Sequence, residues 1–243
     1  MMRVAVTDGM AKEAVKKLEN AGCDVIQEFI EHDDLVNGAL AEFDAVIVRS
    51  ATKISEKMMQ ASLPRLKVIA RAGVGVDNID VDAASRLGLP VVNAPRASTQ
   101  SVVELTIGHL LGSLRFIPRA DRSLRSGQWA KKELNGTELF GKRLGLIGFG
   151  RIAQGVAKVA QAFGMEVHSY DPYLPLSVAK KVGVTMHKNV DTLFKTCTHI
   201  SVHCNLTDET HHLINQKRIN MMPGVDPFNL KCGNHIVNCA RGG

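Results

Sequence analysis

Short apolar runs alternate with amphipathic stretches from the start of the chain. RVAVTDG, CDVIQEF, DAVIVRS, LKVIARAG and PVVNAP are rich in Val, Ile and Ala and predict strands. AKEAVKKLENAG, DDLVNGALAEF, SEKMMQAS and VDAASRLG lie between them and predict helices. Strands that alternate with helices need crossover connections, and crossovers make a parallel sheet. Residues 1–95 therefore read as one open α/β domain.

The pattern then changes. In STQSVVELTIGHLLGSLRFIPRADRSLRSGQW, Val103, Ile107, Leu110, Leu111 and Leu114 recur at three- and four-residue spacing, which predicts a helix with one buried face. Pro118 ends or kinks that helix. A helix between two α/β runs serves as a hinge, a dimer contact or an ordinary core element. A second α/β run begins near residue 142, so residues 96–243 form the second domain. RLGLIGFG predicts a strand, and RIAQGVAKVAQAFG a helix with Ile152, Val156, Val159, Ala160 and Phe163 on one side. MEVHSYD, THISVHCNL and HIVNCA predict further strands, with helices between them. The last residues, Gly242 and Gly243, follow a strand edge, where half of a doubly wound sheet is expected to be unbuilt.

Gly148-Phe149-Gly150-Arg151-Ile152-Ala153 fits G-x-G-x-x-G/A, between a predicted strand and a predicted helix. Gly148 permits the tight turn, Gly150 leaves room for a diphosphate, and Ala153 lets the helix pack closely. The free N–H groups of a helix start favour such an anion. Asp171 ends the next strand 23 residues after Gly148, placed to accept hydrogen bonds from ribose hydroxyls. A carboxylate there repels a 2′-phosphate, so the expected cofactor is NAD. The plainer reading is a glycine turn with no ligand.

Arg71-Ala72-Gly73-Val74-Gly75-Val76-Asp77 is a second strand-to-helix glycine turn. It lacks dinucleotide spacing and suits a smaller anion on its exposed N–H groups. Arg49 and Arg71 both fall at C-terminal ends of predicted strands, the edge where open parallel sheets bind ligands. Together they could hold a carboxylate and a phosphate; surface arginines paired to acids are the alternative.

Composition narrows the classes. Hydrophobic residues make up 45% and charged residues 22% of 243, enough for real cores, and no apolar run reaches membrane-spanning length. The net charge of +6 is spread over scattered residues and aromatics are only 5%, so neither a nucleic-acid nor a membrane partner is expected. The N-terminus has no signal-peptide core, and five cysteines (Cys23, Cys197, Cys204, Cys232, Cys239) form no C-x-x-C pair, which favours a reducing cytoplasm. His199 and His203 share a strand face about 13 Å apart, too far to hold one metal. No metal site is expected. His211 and His212 stand at the start of a predicted helix near the cofactor side.

VRSATK, RAGVGVDNID, NAP followed by SVVELTIG, GTELFGKRLGLIGFGRIA, AFGMEV, YDPY and NCARGG, in this order, resemble the D-2-hydroxyacid dehydrogenase family, and within it the D-3-phosphoglycerate dehydrogenases. The resemblance implies two open parallel-sheet domains, a flavodoxin-like substrate domain and a Rossmann NAD-binding domain. It also implies oxidation of a small anionic hydroxyacid with NAD, in a homo-oligomer. By this likeness Arg241 is the catalytic arginine that grips the substrate carboxylate. Gly73 and Val74 hold that carboxylate, Arg49 and Arg71 contact a substrate phosphate, and Lys131 reaches in from a partner subunit. Arg151, Ile152, Asp171, Cys204, Cys239 and Ala240 match cofactor contacts, beside Gly148, Gly150 and Ala153 of the fingerprint.

Two departures stand out. The family's general acid/base is a histidine oriented by a glutamate, both downstream of ARGG, so these 243 residues are expected to be inactive or nearly so. The return segment that completes the first domain is also expected to be missing. Second, DPFNLKCGN (226–234) interrupts a short link, either as a tolerated surface loop or as a faulty or retained coding segment. The rivals are a dehydrogenase for glyoxylate, lactate or another 2-hydroxy acid, and a non-catalytic NAD-sensing protein.

Overall fold

The structure, a computed structural model, describes residues 1–240. It divides into two compact units, one of Met1–Ser98 and one that begins at Thr99.

The first unit runs β1 (Met2–Val6), α1 (Lys12–Asn20), β2 (Cys23–Gln27), α2 (His32–Val36), β3 (Ala45–Val48), α3 (Glu56–Ser62), β4 (Val68–Arg71), α4 (Val81–Arg86) and β5 (Val91–Asn93). All neighbouring strands pair in parallel, in the order β2-β1-β3-β4-β5. That is the flavodoxin-like order. Its central strands read as unbroken apolar runs because both faces are covered. Ala5, Val46, Val48 and Ile69 pack against Met58 and Met59 of α3 and Ala83 and Ala84 of α4. On the other face Val4, Val6 and Ala45 form a smaller core with Cys23, Val25 and Ile47. The Asp80 carboxylate caps α4 by accepting the Ala83 N–H at 2.9 Å.

The second unit opens with α5 (Thr99–Leu114) and α6 (Ile117–Arg125). What the periodicity predicts as one kinked helix is thus two. Phe116 turns the chain with φ 53°, and Pro118 sits in the first turn of α6, where its missing N–H costs no bond. There follow β6 (Arg143–Ile147), α7 (Arg151–Ala162), β7 (Glu166–Tyr170), α8 (Leu176–Lys181), β8 (Thr185–Met186), α9 (Val190–Thr196), β9 (His199–Val202), α10 (Gln216–Ile219) and β10 (His235–Asn238). The parallel order is β10-β9-β6-β7-β8. Counted within the unit it is the 3-2-1-4-5 order of a Rossmann sheet. The sequence pattern misses β8, because two residues at a sheet edge are too short to show a period.

Helix α5 buries Val103, Thr106, Ile107, Leu110 and Leu114. It lies close to α7 because position 155 is glycine: a Cβ there would stand 2.6 Å from a Val103 methyl. On α7, Val156 and Ala160 are fully buried and Ile152 and Val159 partly so. Phe163 departs from that predicted face; it is the C-cap of α7 and is exposed.

The 226–234 segment is a folded turn rather than an open loop. Asp226 is buried, and its carboxylate accepts the N–H groups of Phe228 and Leu230, each at 2.9 Å. It also takes the Lys142 ammonium at 2.9 Å. Val225 and Lys231 pair antiparallel, and Asn229 adopts φ 63° at the tip.

Candidate functional site

Both sheets end in glycine turns at their C-terminal edges. In the second unit β6 runs into Gly148, whose φ of 82° favours glycine. A Cβ there would stand 3.0 Å from the backbone carbonyl of His203, so the turn and the segment after β9 approach through a missing side chain. Gly150 is different. It is the N-cap of α7, with ordinary backbone angles and nothing within 4 Å of where its Cβ would be. The first helical bond of α7 is Gln154 N–H to Gly150 carbonyl, and no side chain caps the helix. The start of α7 therefore has no side-chain cap and open space above Gly150, which suits a diphosphate.

Asp171 follows β7 and braces this turn. One carboxylate oxygen accepts the Phe149 N–H at 2.8 Å, and the other accepts those of Tyr173 (2.9 Å) and Leu174 (3.2 Å). Phe149 is fully buried below, and the Gln154 side-chain amide donates to its carbonyl at 2.9 Å. Ala153 is fully buried, as close packing of α7 requires. Cys204 follows β9, and Cys239 and Ala240 follow β10, each half-buried at the same edge. Burial raises the Cys204 thiol above its ordinary pKa, and the Ala240 N–H donates to Asn238 Oδ1 at 2.9 Å. Gly148, Gly150, Arg151, Ile152, Ala153, Asp171, Cys204, Cys239 and Ala240 thus gather on one sheet edge. Arg241 lies outside the described residues.

His203, just after β9, is pushed down to a pKa of about 4 by burial and bonds Ser201 Oγ at 2.9 Å. His199 is pushed down to about 3 by burial and stacks on His235. His211 and His212 lie in a turn, not at a helix start; their rings stack at 3.8 Å and His212 adopts φ 51°. The turn is set by Thr210, which satisfies its own backbone from Asn205 to Thr207.

In the first unit Val48 and Arg71 are register partners, which sets Arg49 beside the glycine turn after β4. Arg49 is exposed, and its backbone is fixed on both sides. Its N–H donates to Asp8 Oδ2 at 2.6 Å, and its carbonyl accepts the Asn78 amide at 2.7 Å. Burial alone would raise the Asp8 carboxyl, but hydrogen bonds from Thr52 and Arg49 hold it below the usual carboxylate value. Asp8 and Asn78 escape the sequence reading, although Asp8 ends a strand at the ligand edge and was visible as such. The Arg71 guanidinium folds over Gly73, into the space a Cβ would fill, and donates to the Ala72 carbonyl at 3.2 Å. The turn is less bare than expected, because the Gly73 N–H is spent on the Arg71 carbonyl at 2.8 Å. Lys131 belongs to neither edge; it is exposed on a short 3-10 turn, Lys131–Glu133.

Residues 107–243 match the family model described as the NAD binding domain of D-isomer specific 2-hydroxyacid dehydrogenases. The chain belongs to that family. It is 44% identical to a D-3-phosphoglycerate dehydrogenase of Methanocaldococcus jannaschii over its whole length, and spans 44% of that protein. It is 46% identical to a hydroxypyruvate reductase of Thermotoga maritima over 99% of its length, spanning 74% of that protein. A D-lactate dehydrogenase of Aquifex aeolicus, solved with NAD and lactic acid, superposes with a TM-score of 0.82 at 28% identity, over 99% of this chain and 69% of that one. The second unit is thus the NAD-binding domain of a 2-hydroxyacid dehydrogenase, and the open cradle at Gly150 beside Asp171 fits that cofactor. No helix among the described residues is long and apolar enough to cross a membrane.

Proposed function

We propose that this family member oxidises 3-phosphoglycerate to 3-phosphohydroxypyruvate with NAD, as a homo-oligomer in the cytoplasm. The observation that carries the substrate class is the pairing of Val48 with Arg71, which puts two guanidinium-bearing positions on adjacent strand ends beside a glycine turn. A substrate with both a carboxylate and a phosphate answers that charge. The name of the archaeal relative agrees with it.

In this reading Arg49 and Arg71 take the phosphate, with Asp8 and Asn78 as positioning residues for Arg49. The turn takes the substrate carboxylate through Val74 N–H, since the Gly73 amide is engaged. Arg241, which lies outside the described residues, is proposed as the catalytic arginine by its match to the family motif, and Lys131 as a residue supplied by a partner subunit. The amides of α7 hold the diphosphate and Asp171 the adenosine ribose. Bound NAD supplies the acceptor for the hydride leaving substrate C2. The alkoxide proton needs a base, and His203, with a pKa of about 4, is a poor acceptor near neutral pH. These 243 residues are therefore proposed to bind cofactor without appreciable turnover.

The test is NADH formation from 3-phosphoglycerate by these 243 residues, beside the archaeal relative as control. The control should turn over and these residues should not; brisk turnover by them would refute the absence of turnover. The name of the Thermotoga relative favours a second reading, an unphosphorylated substrate such as hydroxypyruvate. Binding titrations of Arg49→Ala and Arg71→Ala separate the two: they weaken binding of the phosphorylated acid far more than of the unphosphorylated one if the first reading holds.

A further inference from the structure

Two side chains join across the cofactor edge without belonging to the glycine fingerprint. Tyr173, in the segment after β7, donates its hydroxyl to Glu209 Oε2 at 2.5 Å, although 36 residues separate them. Glu209 belongs to the segment after β9. In the sheet, β7 and β9 are not neighbours, because β6 lies between them. The bond therefore spans the end of β6, the strand that delivers Gly148 and Gly150.

Both partners are tied to the site. The Tyr173 backbone N–H donates to Asp171 Oδ1 at 2.9 Å, so the residue that reaches Glu209 also braces the ribose-binding carboxylate. Glu209 is presented by the turn that Thr210 closes, with Thr210 Oγ1 on the Asn205 carbonyl at 2.6 Å and His211 N–H on the Thr207 carbonyl at 2.8 Å. An exposed hydrogen bond adds little to stability. What it does is fix where a second negative charge stands. The phenol is pushed above its ordinary pKa by the bond to Glu209.

We propose that Glu209, held by Tyr173, forms with Asp171 a two-carboxylate rim at the adenosine end that turns away dinucleotides carrying a 2′-phosphate. The inference rests on the β6 edge being the dinucleotide site. A 2′-phosphate must sit near the ribose hydroxyls, so it meets the repulsion of both carboxylates, whereas NAD brings no charge to that position. Asp171 alone was legible from spacing. Glu209 was not, because its partner follows a strand two places away in the sheet.

The test is fluorescence titration of the 243-residue chain with NADH and with NADPH, for the native protein, Glu209→Gln and Tyr173→Phe. Glu209→Gln keeps the shape and removes the charge; it should narrow the preference for NADH by about three- to tenfold, with the gain falling on NADPH. Tyr173→Phe should narrow it less, since the charge stays but loses its hold. Raising the salt should shrink the native preference and leave that of Glu209→Gln nearly flat. An unchanged NADH-to-NADPH ratio in Glu209→Gln, or an equal loss of both ligands, would overturn the proposal. Failure of the native chain to bind NADH would instead overturn the cofactor reading beneath it.

Discussion

Asp171 accepts the backbone N–H of Phe149 at 2.8 Å, so the residue proposed for the cofactor ribose also holds the glycine turn proposed for the diphosphate. Its other oxygen is engaged by Tyr173 and Leu174. Asp171→Ala removes a charged acceptor from three backbone donors. Hydrogen bonds to charged groups are worth about 1.5–3 kcal/mol. NADH affinity should therefore fall at least tenfold, and amide exchange at Phe149 should speed up. Asp171→Asn should keep part of the brace. Calorimetry together with hydrogen exchange reads both effects, and undisturbed exchange at Phe149 in the Ala variant would separate the two roles.

Gly148 and Gly150 should fail in different ways when replaced by alanine. Gly148 combines φ 82° with a carbonyl 3.0 Å from its missing Cβ, so Gly148→Ala should cost stability as well as binding. Gly150 has ordinary angles and open space above it. Gly150→Val should melt within a few degrees of the native protein and still lose NADH, because only the ligand needs that space. Thermal melts run beside the titration distinguish them.

The same residues mark what the sequence could reveal. Every main strand of both sheets was legible, because parallel strands covered on both faces leave unbroken runs such as Val4-Ala5-Val6 and Ala45-Val46-Ile47-Val48. The fingerprint was legible because its geometry is local. Long-range partners were not. Asp8 beneath Arg49, Val103 against Gly155, and Lys142 on Asp226 are joined only by the fold, across 41, 52 and 84 residues. The Gly73 N–H looked available because a motif does not show which amides a turn spends on itself.

Buried histidines should make the fold acid-sensitive. His199 and His203 have folded pKa values near 3 and 4, lowered by burial, against about 6.5 when unfolded. Groups with depressed basic pKa values cost nothing above pH 6.5. Below it the unfolded chain takes up protons that the folded chain refuses. Stability then falls by about 1.4 kcal/mol per pH unit for each such histidine, down to the folded pKa. His168, which sits against Glu166 and His187 and is likewise lowered by burial, adds to the effect. Melting temperature should hold between pH 7 and 8 and drop steadily from pH 6.5 to 5. His199→Phe should start lower but decline more gently, and an unaltered slope in that variant would acquit His199.

The turn at 226–234 should prove to be part of the fold rather than an ornament on it. Asp226 is buried with its carboxylate shared among Lys142, Phe228 and Leu230. Lys142 is buried too, directly before β6. Removing one member of a buried ion pair strands the other without solvent, which costs more than the pair itself contributes. Asp226→Ala should therefore lower the melting temperature by about 5–10 °C. Lys142→Met combined with Asp226→Leu should recover the part of that loss due to the stranded ammonium, while the N–H groups of Phe228 and Leu230 still lack their acceptor. The pair sits at the N-terminal end of β6, away from the edge that holds Gly150 and Asp171. NADH affinity measured well below the melting temperature should thus survive Asp226→Ala, and its loss there would mean that the turn props up the cofactor edge through the sheet.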